Sequence, residues 1–324
     1  MKLTGRICLL CMALLYAMAA DAGKSRHDVV YSCTGEQVRI YSSAVTDTLC
    51  IFVIADTHLW LSDEREDAFR QFSGRMASAY HETKHFRTGK KTNPEEAFRQ
   101  TVALAKQRGA DVIALLGDIV SYPSERGVEL VQEVMQEAGI PYYYTCGNHD
   151  WHYEGMKGTS YELRKKWREL RLSPLFQGHN PIAYGVEHKG VRLLFLDTSD
   201  YEVESAQLEF IRKEARSRKP FIVFQHIPLY APSRSVAYGI GHPEWGAATD
   251  GGYKTERRNR WPEGHQKTDY DFYETLVNAP NLIATFAGHV HLFGTDIING
   301  KPHFTVGPNF TGAYYEVQVM PKKK

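Results

Sequence analysis

The chain has 324 residues, 39 of them lysine or arginine against 38 aspartates and glutamates, a formal net charge of +1, and 43% hydrophobic residues. That balance describes an ordinary globule with a sizeable core, in one large domain or two, and excludes the strongly basic footprint of a nucleic-acid binder. No repeat or low-complexity tract interrupts it.

Lys2 and Arg6 precede an apolar stretch from Ile7 to Ala20 that closes on the small-residue pattern Ala17-Met18-Ala19. This predicts a secretory signal peptide over residues 1–20 and an exported protein, periplasmic or extracellular. The competing reading is a membrane anchor, but a spanning helix needs about 20 apolar residues and this run is shorter. No other stretch is long enough to span. Cys8 and Cys11 lie inside the run without small residues just before them, which gives a lipid-anchored terminus little support. Removing residues 1–20 takes away two positive charges and no acids, so the net charge moves from +1 to −1.

Residues 21–48 read as a polar leader with one alternating run, Gln37-Val38-Arg39-Ile40-Tyr41, expected to form an edge strand. The mature chain keeps Cys33, Cys50 and Cys146. In an oxidising compartment a Cys33–Cys50 bridge would pin the amino-terminal strand to the sheet; the alternative is three thiols serving as small apolar residues.

Residues 49–320 form the main domain, and in it one pattern recurs: an apolar, strand-like run ends in a polar cluster. Cys50 to Ala55 leads into Asp56-Thr57-His58, and Val112 to Leu116 into Gly117-Asp118. Pro141 to Thr145 leads into Gly147-Asn148-His149-Asp150, Phe221 to Phe224 delivers His226, and Leu282 to Phe286 delivers Gly288-His289-Val290-His291. Between these runs lie helices. Asn93-Pro94-Glu95-Glu96 is an N-cap, a first-turn proline and two acids at the positive dipole end, opening a helix that stops at Gly109. A second helix spans Ser124 to Ala138 and stops at Gly139. Strand, helix, strand, helix, strand implies parallel pairing. From Ile182 to Asp197 the pattern becomes a hairpin turning at His188-Lys189-Gly190. A helix over Ser205–Ser217 precedes the His226 strand, and short strands over Thr295–Ile298, Pro302–Val306 and Ala313–Val319 close the chain. Two segments exceed ordinary loop lengths, 60–92 and 229–268. The second leaves directly from His226-Ile227-Pro228, is rich in Gly, Tyr, Trp and Pro, and clusters Arg257, Arg258 and Arg260. It reads as part of a substrate pocket, against the alternative of an inert surface insertion.

Each cluster alone is weak, since Asp-x-His is common and Gly-Asp after a strand is usually a turn. Their conjunction is informative, because strands of an open α/β sheet present ligands and reacting groups beyond their carboxyl ends, and five such ends would meet in one cleft. Imidazole, carboxylate and amide donors without thiolate suit Mn²⁺, Zn²⁺ or Fe²⁺.

In their order, from about residue 50 to 292, these motifs resemble the calcineurin-like metallophosphoesterases: D-x-H, G-D, G-N-H-[DE], a lone H after a strand, and G-H-x-H. The resemblance implies a four-layer αββα sandwich with two mixed sheets and a dinuclear centre at the strand ends. It implies that Asp56, His58 and His291 hold one divalent ion, that Asn148, His226 and His289 hold the other, and that Asp118 bridges both. A hydroxide shared by the ions would attack phosphorus in line. His149 would face the substrate, donating to a phosphoryl oxygen or protonating the leaving group, with Asp150 or Asp56 orienting its ring. Tyr122, Trp151, His152 and Tyr230 are candidate substrate contacts, Tyr122 being either a pocket wall or a core residue. Purple acid phosphatases resemble the family but use D-x-G and a tyrosine three residues after the G-D aspartate. Here His58 fills the third position and Ser121, not Tyr122, lies three after Asp118. The expected activity is hydrolysis of a small phosphate ester, monoester or diester. The alternatives are a non-catalytic metal-binding scaffold, which would be expected to have lost ligands, and a lipid head-group phosphodiesterase, which would be expected to carry an apolar lid.

Overall fold

A computed structural model of the protein describes residues 29–232, 234, 239–240 and 266–322. The signal-peptide stretch, Arg257, Arg258 and Arg260, and most of the 229–268 segment lie outside the described residues.

The chain begins with strands β1 (Val29–Thr34) and β2 (Gln37–Ser42), an antiparallel hairpin, followed by β3 (Leu49–Ile54). Residues 60–92 form 3-10 turns at Glu64–Glu66 and Gly74–Ala77, a short helix at Arg70–Ser73, and the small pair β4 (Thr83–Lys84) and β5 (Lys91–Thr92). Helices Pro94–Gln107 and Glu125–Ala138 then alternate with β6 (Val112–Leu115) and β7 (Tyr142–Tyr144). Their starts follow the local sequence: the Asn93 side chain accepts from Glu96 N–H at 3.0 Å and Ser124 Oγ from Gly127 N–H at 3.0 Å. After helix Ser160–Trp167 come β8 (Ala183–His188) and β9 (Val191–Leu196). Lys189 and Gly190 close that hairpin with φ of 48° and 78°, the doubly left-handed turn that matches strand twist. Helix Ser205–Arg216, β10 (Phe221–Gln225), helix Lys267–Asn278 and β11 (Leu282–Ala287) follow, and β12 (Gly294–Ile298), β13 (Lys301–Thr305) and β14 (Tyr315–Pro321) end the fold.

The strands make two six-stranded mixed sheets, ordered β1-β2-β14-β3-β6-β7 and β12-β13-β11-β10-β9-β8. Three separate cores show the layering. Ile51, Val53, Val112 and Ala114 from the first sheet meet Leu193, Phe195, Ile222 and Phe224 from the second. The alternate residues Phe52, Ile54, Ile113 and Leu115 face Phe98, Val102, Val131 and Val134 of two helices. Leu194, Phe221 and Val223 face Leu208, Ile211, Phe272 and Leu276 of two others. Strands buried on both faces explain the unbroken apolar runs, and the result is the expected αββα sandwich. Across the second sheet Tyr184, Phe195, Phe224, Phe286 and Phe304 form a ladder of stacked rings, with centroids 5.2, 5.0, 5.7 and 4.9 Å apart. These are directly paired residues on neighbouring strands, so the ladder fixes the register that aligns the ends of β10 and β11.

Two expectations are corrected. Gln37–Ser42 is not an edge strand: β1 occupies the edge, and β14 inserts between β2 and β3, parallel to β2 and antiparallel to β3. For the same reason a Cys33–Cys50 bridge is excluded. Two strands separate β1 from β3, roughly 14 Å at ordinary strand spacing, and Cα atoms more than about 7 Å apart cannot be bridged. Cys33, Cys50 and Cys146 are all free thiols. No helix among the described residues is long and apolar enough to cross a membrane.

Candidate metal centre

The loops beyond β3 and β6 continue to pair after the strands end: Asp56 N–H donates to Gly117 O at 3.0 Å, His58 N–H to Asp118 O at 2.8 Å, and Leu59 N–H to Ile119 O at 2.9 Å. Beside them Gly117 and Gly147 touch backbone to backbone. A Cβ on Gly117 would lie 2.3 Å from Gly147 N, and one on Gly147 would lie 2.2 Å from Asp118 N, so both motifs need glycine there. Asp56, His58, Asp118, His289 and His291 all take left-handed φ, between 49° and 72°, a conformation rare for residues with side chains.

This backbone assembles two clusters. In one, His58 Nε2 faces His291 Nε2 at 3.4 Å, and Asp56 Oδ1 lies 3.3 Å from His291 Nε2. In the other, His226 Nε2 lies 3.2 Å from Asp118 Oδ2 and 3.2 Å from Asn148 Oδ1. His289 joins the second, one donor atom each from Asp118, His226 and His289 falling within 4.8 Å of the others. Asp118 Oδ2 also reaches to 3.9 Å of His58 Nε2, so one carboxylate oxygen stands between the two clusters.

The outer atoms of these groups are already committed. His226 Nδ1 bonds Leu116 O at 2.8 Å, His289 Nε2 bonds the Tyr201 hydroxyl at 2.5 Å, and His289 N–H donates to Asp56 Oδ2 at 2.9 Å. Such outer bonds fix the tautomer and orientation of ligating imidazoles. The electrostatics agree. Burial drives His58 well below the ordinary histidine range. Burial opposes charge on His226 and Asp118 as well, yet their proximity holds the imidazole up at about 9 and the carboxyl well below its usual value. Asp56 Oδ1 is buried without a hydrogen bond, and the His58 and His291 Nε2 atoms beside it face each other with at most one proton between them. A divalent cation in each cluster would satisfy these donors, and the imidazole, carboxylate and amide set fits one.

The other sequence candidates divide. His149 lies at the mouth, its ring centroid 5.1 Å from that of His58 and its Nδ1 without a hydrogen bond. Neither Asp150 nor Asp56 bonds its ring, which corrects the orienting role expected of them. Asp150 is fully buried and accepts from the backbone N–H groups of Asp118 (2.9 Å), Val120 (2.9 Å) and Gly147 (2.7 Å), clamping the two glycine loops together. Tyr122 and Trp151 belong to the core, not to a pocket wall: Tyr122 Oη donates to Trp60 O at 2.8 Å and Trp151 Nε1 to Ser199 Oγ at 2.8 Å. His152 is buried beside Trp151, and Tyr230 is half-buried, its N–H bonded to Ile240 O. Three residues that sequence reasoning missed are Tyr201, Asn309 and Tyr80. Tyr201 follows the end of β9, so the strand-end rule applied to five strands would have found it on a sixth. Asn309 ties Thr57 Oγ1 at 3.2 Å and bonds Ala55 O through its N–H at 2.9 Å.

A sandwich of two mixed sheets with paired His/carboxylate clusters at its strand ends is the architecture of a metal-dependent hydrolase. The calcineurin-like phosphoesterase model matches residues 50–293, and the chain belongs to that family. Among solved structures, the chain is similar to a dimetal phosphatase from Danio rerio, 14% identical with a TM-score of 0.50, over 82% of this chain and 91% of that one. It is also similar to a purple acid phosphatase from yellow lupin seeds, 13% identical with a TM-score of 0.48, over 86% of this chain and 48% of that one. The likeness to the Danio rerio protein supports the fold. No curated protein matches the chain.

Proposed function

We propose that the protein is an exported phosphoesterase that hydrolyses a small phosphate ester at a dinuclear metal centre held by Asp56, His58, Asp118, Asn148, His226, His289 and His291. The observation that carries this reading is the placing of Asp118 Oδ2 between the two clusters, 3.2 Å from His226 Nε2 and 3.9 Å from His58 Nε2. Asp56, His58 and His291 would hold one ion, Asn148, His226 and His289 the other. Bound there, a pair of divalent ions such as Mn²⁺, Zn²⁺ or Fe²⁺ would supply Lewis acidity and a water of lowered pKa. His149 supplies a hydrogen-bond donor to a phosphoryl or leaving oxygen. Burial lowers its pKa, which favours the neutral imidazole in that role. His58 at the third position of the first motif, and a Tyr122 hydroxyl bonded to Trp60 O, support a centre without a tyrosinate ligand. Export rests on the character of residues 1–20, and the 229–268 segment, leaving from His226, is proposed to border the substrate.

The test is hydrolysis of a nitrophenyl phosphate monoester and a bis-nitrophenyl diester by the Mn²⁺-loaded protein, with Asp118→Asn as the blank. Preference for the diester assigns a phosphodiesterase and preference for the monoester a phosphatase. Silence on both in protein that holds two ions would overturn the reading in favour of a metal-binding scaffold.

A further inference from the structure

Tyr80 lies in the middle of the 60–92 segment and adopts φ of 62°, which a bulky aromatic residue rarely does outside a constrained site. The constraint is visible on both sides. Upstream, Phe69 stacks on Tyr153 and packs edge-on against Trp167, and Tyr153 Oη donates to Glu66, so the start of the segment is docked on the helical layer. Downstream, Phe86 N–H donates to Thr311 O at 2.9 Å and Thr83 Oγ1 to Phe310 O at 3.4 Å. Between these anchors the Tyr80 ring stacks on Phe310, centroids 4.1 Å apart and planes 14° from parallel, with centroids 4.8 Å from His58 and 5.9 Å from His291. The segment thus brings an aromatic ring onto the candidate ligands although the ring holds none of them.

The phenol hydroxyl bonds no described residue. His149 flanks the same His58 ring, at 5.1 Å, with a ring nitrogen that also lacks a protein partner. Two donors without protein acceptors therefore converge beside the ligand clusters. Arg75 is ion-paired with Glu154 at 3.2 Å, and its charge acts on both Tyr80 and His149.

We infer that Tyr80 is a substrate-binding residue whose hydroxyl donates to an oxygen of the bound phosphoryl group, and that residues 60–92 serve to hold it there. This rests on the phosphoesterase reading. The test is calorimetric titration of inorganic phosphate into the full-length Mn²⁺-loaded protein and its Tyr80→Phe variant, with metal content, melting temperature and nitrophenyl ester turnover measured on both. Hydrogen bonds to charged groups correspond to about tenfold to a hundredfold in affinity, so the variant is expected to bind phosphate that much more weakly at unchanged metal content and melting temperature. A variant within twofold of wild type in phosphate affinity overturns the inference alone, provided that the wild type binds phosphate and turns over esters. Loss of metal in Tyr80→Phe also overturns it, since the residue would then be serving His58 and not the substrate. A wild-type protein that neither binds phosphate nor turns over esters removes the phosphoesterase reading and this inference with it.

Discussion

Asp150 sits between the two glycine loops beside the candidate ligands, and its replacement separates a structural clamp from an orienting role toward His149. If it oriented His149, Asp150→Ala would cost turnover while the fold survived. The structure assigns it instead three backbone N–H groups, those of Asp118, Val120 and Gly147, none of which has access to water at that depth. Each buried donor left without an acceptor costs about 1–3 kcal/mol, so alanine is expected to destabilise by roughly 3–9 kcal/mol. At roughly 2–4 °C per kcal/mol for a domain of this size, the melting temperature should fall by about 6 °C or more. Asparagine is graded between the two. Placing its oxygen on the side that serves Asp118 and Gly147 keeps two of the three bonds and turns its amide against Val120 N–H, for a loss of about 1–3 kcal/mol. Thermal melts of the three proteins, with metal content measured on each, make the comparison. An Asp150→Ala protein that melts within about 2 °C of wild type but has lost turnover would refute the clamp and restore the orienting role.

Asp118→Asn should lower turnover by at least about a thousandfold and reduce bound metal below two ions per chain, because the residue stands between both clusters; elemental analysis of purified protein checks it. Tyr201→Phe removes the hydroxyl at 2.5 Å from His289 Nε2 and should weaken metal binding by about tenfold to a hundredfold with little change in melting temperature, read by titration against a competing chelator. His303 supplies the pH dependence. It is buried, its Nδ1 pairs with Thr285 Oγ1 at 2.8 Å, its Nε2 has no partner, and burial together with the Arg234 and Lys301 charges takes its pKa down to about 3. A histidine depressed in the folded state contributes stability that is full above its unfolded pKa of about 6.5 and is lost as pH falls toward 3, here about 5 kcal/mol in total. Urea midpoints of wild type and His303→Gln should therefore converge as pH falls from 6.5 to 3; parallel curves would refute the assignment.

The parts of the fold that sequence made legible are those where local chemistry and burial agree. The Asn93-Pro94 and Ser124 helix starts, the Gly139 stop and the Lys189-Gly190 turn are each set by one or two residues acting on their own backbone. The runs ending at Asp56, Asp118, Asn148, His226 and His289 are apolar throughout because the strands are covered on both faces, and that made their ends visible. Sheet order was not legible. Whether Gln37–Ser42 lies at an edge depends on where β14 returns, more than two hundred residues later in the chain, and nothing in the run itself records it. The same distance in sequence hid Tyr80, since its proximity to His58 depends on Phe310 and Thr311. Trp151 was misplaced, and Tyr122 left open between pocket wall and core, for a different reason. They adjoin motif residues in sequence, but on each the side chain turns to the core side of the loop, as Ser199 and the Trp60 carbonyl show.

The candidate ligands break the rule that residues with a Cβ avoid left-handed backbone, five times within one cleft. At roughly 1–2 kcal/mol each, the strain sums to about 5–10 kcal/mol, comparable with the whole stability of a domain. The loops offset it through one another. Five interloop backbone bonds join them, from Asp56, His58, Leu59, Asn309 and Phe310 to the carbonyls of Gly117, Asp118, Ile119, Ala55 and Asp56, and two further N–H groups, of His149 and His289, donate to Asp118 Oδ1 and Asp56 Oδ2. Seven bonds at about 1 kcal/mol each are of the same size as the strain. The last two also decide the site's form. Each carboxylate commits one oxygen to the N–H of an opposite loop and so presents the other, Asp56 Oδ1 or Asp118 Oδ2, to the clusters. The strained backbone is thus what lets one set of loops hold itself together and still leave the inward-facing atoms free for a cation.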